Sequence, residues 1–94
     1  MKKITEKKRV TLTFTRLELD DGFIFGDAYD LLELLEQAEE VDGYFEHLLV
    51  YNSDEAKKLE ELGVLSKSSR GSYSAGKNCR EFHAKVYATL YPKE

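Results

Sequence analysis

The sequence predicts a single α+β domain over residues 1–94: an N-terminal β-hairpin, then three or four helices, with a second hairpin ahead of the last one. Three observations carry that prediction. Apolar residues alternate with threonines near the start, an apolar stripe recurs at helical spacing between Asp27 and Asp42, and a Ser/Gly-rich basic turn lies between two short apolar stretches ahead of a last helical pattern.

The first element is "VTLTFTRLEL", where Val10, Leu12 and Phe14 alternate with threonines as in a half-buried strand. The apolar phase then moves to Leu17 and Leu19, which predicts a β-bulge near Thr15–Arg16. Asp20-Asp21-Gly22 is a turn signal and "FIF" follows it, so Leu17 to Phe25 reads as a hairpin. The first nine residues are expected as a basic, flexible tail.

The strongest helix is "DAYDLLELLEQAEEVD". Asp27 is placed to cap it, and Asp30 complements the helix dipole in the first turn. Ala28, Leu31, Leu32, Leu35 and Ala38, with Leu34 and Val41 alongside, form a stripe wide enough to face a core. Gly43 is expected to end the helix as its C′ residue. "YFEHLLVY" reads as a short helix through Tyr44, Leu48 and Tyr51, with a buried strand as the other reading. Asn52 and Glu55 resemble a capping box for a helix that turns Ala56, Leu59 and Leu62 inward and stops at Gly63. "VLSKSSRGSYS" follows as strand, turn and strand. Asn78, three residues before Glu81, is expected to cap a final helix with Cys79, Phe82, Val86 and Leu90 on one face, and Pro92 closes it.

Charge is segregated along the chain. Six of the fourteen Lys and Arg lie at or before Arg16 and eight at or after Lys57. Between Leu17 and Ala56 there is none, while thirteen of the eighteen carboxylates fall there. After Gly63 the sign reverses, with six bases against Glu81 and Glu94. The single cysteine excludes an intrachain disulfide, no apolar run reaches the length of a membrane span, and "MKKITEKKR" lacks the apolar stretch of a signal peptide. A cytoplasmic protein with no membrane association is the expectation.

"LEELGVLSKSSRGSYSAGKNCREF" resembles the second half of a winged helix-turn-helix domain, over roughly residues 44–90. The shared features are a helix closed by "LG", an apolar pair, a basic Ser/Gly turn, an aromatic residue after Gly71 and a following helix. The resemblance implies that Asp54 to Leu62 would enter the major groove and that Lys67 to Tyr73 would form the wing. A groove-reading helix offers Arg, Lys, Asn or Gln to base edges. This one offers Asp54, Glu55, Glu60 and Glu61 around Lys57 and Lys58, with Asp54–Lys58 and Lys57–Glu61 at the spacing of ordinary surface pairs.

Catalytic chemistry finds little to stand on. "GSYSAGKN" comes within one residue of a phosphate-binding loop, but Asn78 replaces the magnesium-holding hydroxyl and no buried strand precedes it. It reads as a wing plus a cap. Cys79 and His83 are four apart on one helix, with His47 a conceivable third ligand; a buried thiol in line with Phe82 and Val86 is the plainer reading. Two histidines leave no Ser–His–Asp arrangement to build. No catalytic residue, metal or cofactor is expected.

The acidic third is the feature with functional content. Glu33, Glu36 and Glu40 recur on the helix face opposite the leucines, and neighbours on that face repel by roughly 0.2–0.5 kcal/mol per pair. A row of carboxylates imitates a phosphate backbone, and small acidic proteins of mobile elements that block nucleic-acid enzymes, of the anti-CRISPR or anti-restriction kind, are similar in composition. The expectation is a non-enzymatic inhibitor or DNA mimic that offers Asp30, Glu33, Glu36, Glu40, Asp42 and Glu46 to a basic nucleic-acid-binding protein. The alternative is a winged-helix transcriptional regulator that holds duplex DNA with Lys67, Arg70, Lys77 and Arg80. Tyr87 and Tyr91 are candidates for a homodimer interface.

Overall fold

A computed structural model describes residues 1–9 and 12–92, with side chains described except at 7–9 and 12. It is an α+β arrangement of two small antiparallel sheets and three α-helices. Strands β1 (Lys2–Arg9), β2 (Leu12–Glu18) and β3 (Ile24–Phe25) form the first sheet in that order. The expected hairpin is there: Leu17 pairs with Phe25 and Glu18 with Ile24. Its turn works as the sequence reads, with Gly22 at φ +93° and the Asp21 carboxylate accepting the Phe23 N–H at 3.0 Å.

Two expectations about this sheet are corrected. The basic segment expected as a tail is strand β1, pairing with β2 from Lys2↔Glu18 to Arg9↔Leu12. The register is continuous through Thr15–Arg16 and shifts between Lys7 and Arg9, so the irregularity lies in β1 and not in β2. β1 is an edge strand, where lysines discourage pairing with another chain. Leu17 and Phe25 are fully buried, whereas Phe14 is 42% exposed. Val10 lies outside the described residues.

Helix α1 (Ala28–Glu40) starts on Asp27, whose side chain accepts the N–H groups of Tyr29 and Asp30, both at 3.1 Å. It buries Ala28, Leu31, Leu32, Leu34, Leu35 and Ala38, the stripe that its spacing predicts. Its end differs. Val41 is the extended C-cap, and Gly43 lies two residues beyond it at φ +126°. The segment after it matches neither reading of "YFEHLLVY" in full: Tyr44 is not helical but exposed in the two-residue strand β4 (Tyr44–Phe45), and only Leu48–Tyr51 turns, as a 3₁₀ helix.

Helix α2 (Ser53–Glu61) is capped by Asn52, which accepts the Glu55 N–H at 3.3 Å. The reciprocal half of a capping box is not made. Glu55 is 8% exposed and its carboxylate accepts the Gly26 N–H at 3.0 Å, tying α2 to the turn before α1. At the other end Gly63 takes φ +76°, its N–H reaches the Glu60 carbonyl, and the Val64 N–H reaches Leu59. This is a Schellman ending, and both Leu59 and Val64, the residues at its two ends, are buried.

Strands β5 (Leu65–Lys67) and β6 (Tyr73–Ala75) form the second hairpin, and β4 pairs with β6 to give the order β4-β6-β5. Helix α3 (Cys79–Leu90) follows and packs on α1. Asn78 stands at its N-cap position but makes no side-chain cap; its amide donates to the Leu62 carbonyl at 2.8 Å instead. Around that bond the backbone N–H of Asn78 reaches Gly63 and that of Gly76 reaches Val64. A Cβ on Gly76 would sit 2.3 Å from the Gly63 oxygen. The glycine that lends "GSYSAGKN" its phosphate-loop look is therefore needed for this close approach between α2 and the start of α3. One core, from Leu17 and Phe25 through α1 to Val86 and Leu90, joins the two sheets. No helix among the described residues is long and apolar enough to cross a membrane.

Candidate functional site

Helix α1 presents the acidic surface. Its buried stripe fixes the rotation of the helix, so Glu33, Glu36 and Glu40 are exposed on the other side. No basic residue occupies its last turn, and Glu40 with Asp42 adds negative charge where the dipole is already negative. Among the described residues the α1 carboxylates that form ion pairs meet only histidines. Glu33 lies 3.4 Å from His47 Nε2, and Glu39 lies 2.9 Å from His83 Nδ1. The His47 Nδ1 accepts the Leu49 N–H at 3.2 Å, which leaves the neutral ring's proton on Nε2, facing Glu33. Glu36, Glu40, Asp42 and Glu46 form no ion pair with a described Lys or Arg.

The six expected partner-binding acids do not make one continuous row. Asp30 is half-buried next to Asp27 and Glu33; burial first, then those two like charges, raise its carboxyl above the ordinary range. Glu33, Glu36 and Glu40 share the outer face of α1, and Asp42 follows the helix end. Glu46 is elsewhere, lining a hollow of about 430 Å³ with Tyr44, Tyr51, Tyr73 and Arg70. Glu39, which the sequence did not single out, belongs to the α1 surface through its contact with His83.

The four expected nucleic-acid-binding bases are likewise divided. The Lys67 ammonium lies 5.9 Å from the Tyr73 ring on the hairpin, and Arg70 stands at the loop tip beside Glu46. Lys77 is exposed in the segment joining β6 to α3. Arg80 faces α1, lining a groove with Glu36, Glu39, His83, Ala84 and Tyr87. The helix that the resemblance assigns to the major groove has Lys58 committed to an ion pair with Asp21, whose carboxyl is held below its ordinary range chiefly by that hydrogen bond.

Cys79 is buried, and burial, reinforced by the charge of Glu39, pushes its thiol up to about 11. A thiol in that state is protonated near neutrality and is neither a nucleophile nor a ready metal ligand. His83 turns to Glu39 and His47 to Glu33, so the two histidines serve separate contacts with α1.

Sequence reasoning singled out Tyr87 and Tyr91 but missed Tyr29 and the cluster that the three make. Tyr29 (45%), Tyr87 (53%) and Tyr91 (48%) come together at the surface, with Tyr91 centred 6.2 Å from Tyr29 and 5.0 Å from Tyr87. Tyr44, Leu48 and Tyr51 form a second exposed apolar stretch. Tyr29 is four residues before Glu33, and that spacing was the available signal that it shares the acidic face. Comparison with family models, with curated proteins and with solved structures finds no match for this chain.

Proposed function

We propose that the chain is a non-catalytic interaction protein whose acidic α1 surface binds a basic groove of a nucleic-acid-binding protein, occupying it as nucleic acid would. The observation that carries this reading is the outer face of α1: Glu33, Glu36 and Glu40 stand exposed without a Lys or Arg partner among the described residues. Exposed like charges on a helix cost stability, and their natural relief is a cationic partner. Such a surface raises the rate of encounter and discriminates among partners more than it adds raw affinity. Cytoplasmic inhibition of a nucleic-acid enzyme, in the manner of mobile-element counter-defence, is the biological role this reading fits.

The test is affinity capture from a cell extract with a salt-gradient elution, repeated with duplex DNA as competitor. Three proteins are compared: the wild type, Glu33→Gln/Glu36→Gln/Glu40→Gln, and Lys67→Ala/Arg70→Ala/Lys77→Ala. A captured basic protein that DNA displaces and that the Gln variant fails to hold is the expected result. Capture unchanged in the Gln variant but lost in the Ala variant would overturn it.

One observation favours a second reading. Helix α2, the β5–β6 hairpin and α3 succeed one another in the order the winged-helix resemblance implies, and residues 63–80 contain no carboxylate. On that reading the hairpin holds duplex DNA through Lys67 and Arg70, with Lys77 behind it. Arg80 beside Glu36 and Glu39, and the acidic exterior of α2, are placed poorly for it. Binding through phosphate contacts alone has a salt slope near −0.9 per contact. A gel-shift titration at two salt concentrations reads that slope, and nanomolar sequence-specific binding would promote this reading over the first.

A further inference from the structure

The tyrosine cluster between α1 and α3 adds a feature that charge alone does not supply. The two helices run antiparallel: Tyr29 in the first turn of α1 meets Tyr91 at the end of α3, while Glu39 near the other end of α1 meets His83. Tyr87 and Tyr91 are tilted 43° to each other, and Tyr29 and Tyr91 58°, so the rings do not stack flat on one another. All three are about half-exposed. From this cluster a groove of about 420 Å³ leads along α3 through Tyr87, with Glu36 and Glu39 on its α1 side.

The geometry points to a receptor for an arginine side chain of the partner, with Tyr29, Tyr87 and Tyr91 as its aromatic wall and Glu33 and Glu36 as its anionic approach. This rests on the acidic reading of α1 given above and specifies its anchor. The π faces of tyrosine attract a cation, and a guanidinium, planar and weakly hydrated, stacks on them more readily than an ammonium. Charge complementarity selects the same occupant. The exposed face of α1 carries Glu33 and Glu36 one and two turns from Tyr29, and no Lys or Arg. Arg80 lines the groove together with Glu36, Glu39 and Tyr87, which places the incoming cation toward the Tyr29–Tyr91 end of the aromatic wall, with Glu33 one turn from Tyr29. Tyrosine and arginine are also among the residues enriched at interface hot spots.

The probe is a fluorescein-labelled nona-arginine peptide, followed by anisotropy with the full chain, with nona-lysine for comparison. Tyr29→Leu/Tyr87→Leu/Tyr91→Leu keeps apolar bulk but removes the π faces, and it should weaken arginine-peptide binding by about tenfold, the scale of a well-formed cation–π contact. The corresponding Phe variant should bind as the wild type does, and Tyr44→Leu/Tyr51→Leu, on the other exposed stretch, should change nothing. The arginine peptide should bind more tightly than the lysine peptide. If the Leu variant binds normally while Glu33→Gln/Glu36→Gln/Glu40→Gln loses the peptide, the acidic reading stands and the receptor falls. If neither variant matters, or the wild type does not bind, both fall. Wild-type self-association in sedimentation, abolished by the Leu substitutions with peptide affinity unchanged, would assign the cluster to a second copy of this chain and overturn the proposal. Should the triple Leu variant fail to fold, Tyr87→Leu alone carries the same comparison.

Discussion

The junction between α2 and α3 and the outer face of α1 are opposite solutions to the placement of polar groups. At the junction, backbone meets backbone: Gly63 and Gly76 approach so closely that a methyl group has no room, and Asn78 spends its amide on the Leu62 carbonyl. On α1, Glu36 and Glu40 reach into solvent and form no described ion pair. One region is determined by the fold and the other is free of it. Residues of the same chemical type thus carry different information. A glycine at the junction reports packing, and a carboxylate on α1 reports a surface available for selection by a partner.

The largest effect is expected at Gly76. Gly76→Ala places a methyl carbon 2.3 Å from the Gly63 oxygen and 2.9 Å from its carbonyl carbon, against backbone that cannot swing away. The α2–α3 register must shift, at a cost of about 3 kcal/mol or more, toward the tail of what single substitutions do. Thermal unfolding should drop by well over 10 °C on the scale of about 4–8 °C per kcal/mol. A variant within a few degrees of wild type would mean that the junction is looser than its contacts state and would erase the contrast with α1.

Glu55 comes next, because it is a carboxylate that behaves like a junction residue. Glu55→Ala leaves the Gly26 N–H without its acceptor in a part-buried site, a loss of about 1–3 kcal/mol. Glu55→Gln retains a carbonyl oxygen and should recover a large part of that. Urea midpoints of the three proteins decide the matter. Equal midpoints for Ala and wild type would move Glu55 into the class of the α1 acids.

These residues also mark what was legible in the sequence. Asp27 and the leucines of α1 were read correctly because capping and amphipathic spacing are local properties, settled within one helix. Asn78 and Glu55 carry the same local signals, a polar cap and an acid three residues on, yet their side chains go to partners sixteen and twenty-nine residues away. Nothing in a window of four residues distinguishes those outcomes. Strand β1 was missed because lysines mask a pattern that only pairing with β2 creates. The acidic face of α1 was legible, but its tyrosine end was not, since the meeting of Tyr29 with Tyr91 depends on how α3 packs.

A smaller effect, of opposite sign, is expected on α1. Replacing Glu33, Glu36 and Glu40 by Gln removes like-charge neighbours at three- and four-residue spacing, each worth about 0.2–0.5 kcal/mol. Stability should stay equal or rise slightly at low ionic strength, and the gain should shrink in high salt. The loss of the Glu33–His47 contact works against this gain, but Glu33 is largely exposed and such contacts contribute little. A clear loss of stability would show that the face is structural after all.

The smallest expected effect lies at Asp30, which sits between the two regimes. It is half-buried, and its carboxyl is raised by burial and by the charges of Asp27 and Glu33. The folded state therefore binds this proton more readily than the unfolded state, whose value is the ordinary 3.8. As pH rises from 3.8 through the higher folded value, the unfolded chain releases the proton first, and this group's contribution to stability falls. Below that window the penalty is absent. Asp30→Asn does not titrate, so the difference in urea midpoint between it and wild type should shift in the variant's favour as the pH is raised from about 3 to neutrality. Favourable interaction of the Asp30 charge with the α1 dipole opposes this, which keeps the net change small. The Glu33→Gln/Glu36→Gln/Glu40→Gln background sharpens the measurement. With the Glu33 charge gone, one cause of the raised carboxyl is removed, and the pH-dependent part of the Asp30→Asn difference should diminish. If it is unchanged, Glu33 does not act on Asp30, and the acids of α1 are electrostatically independent of the core they cover.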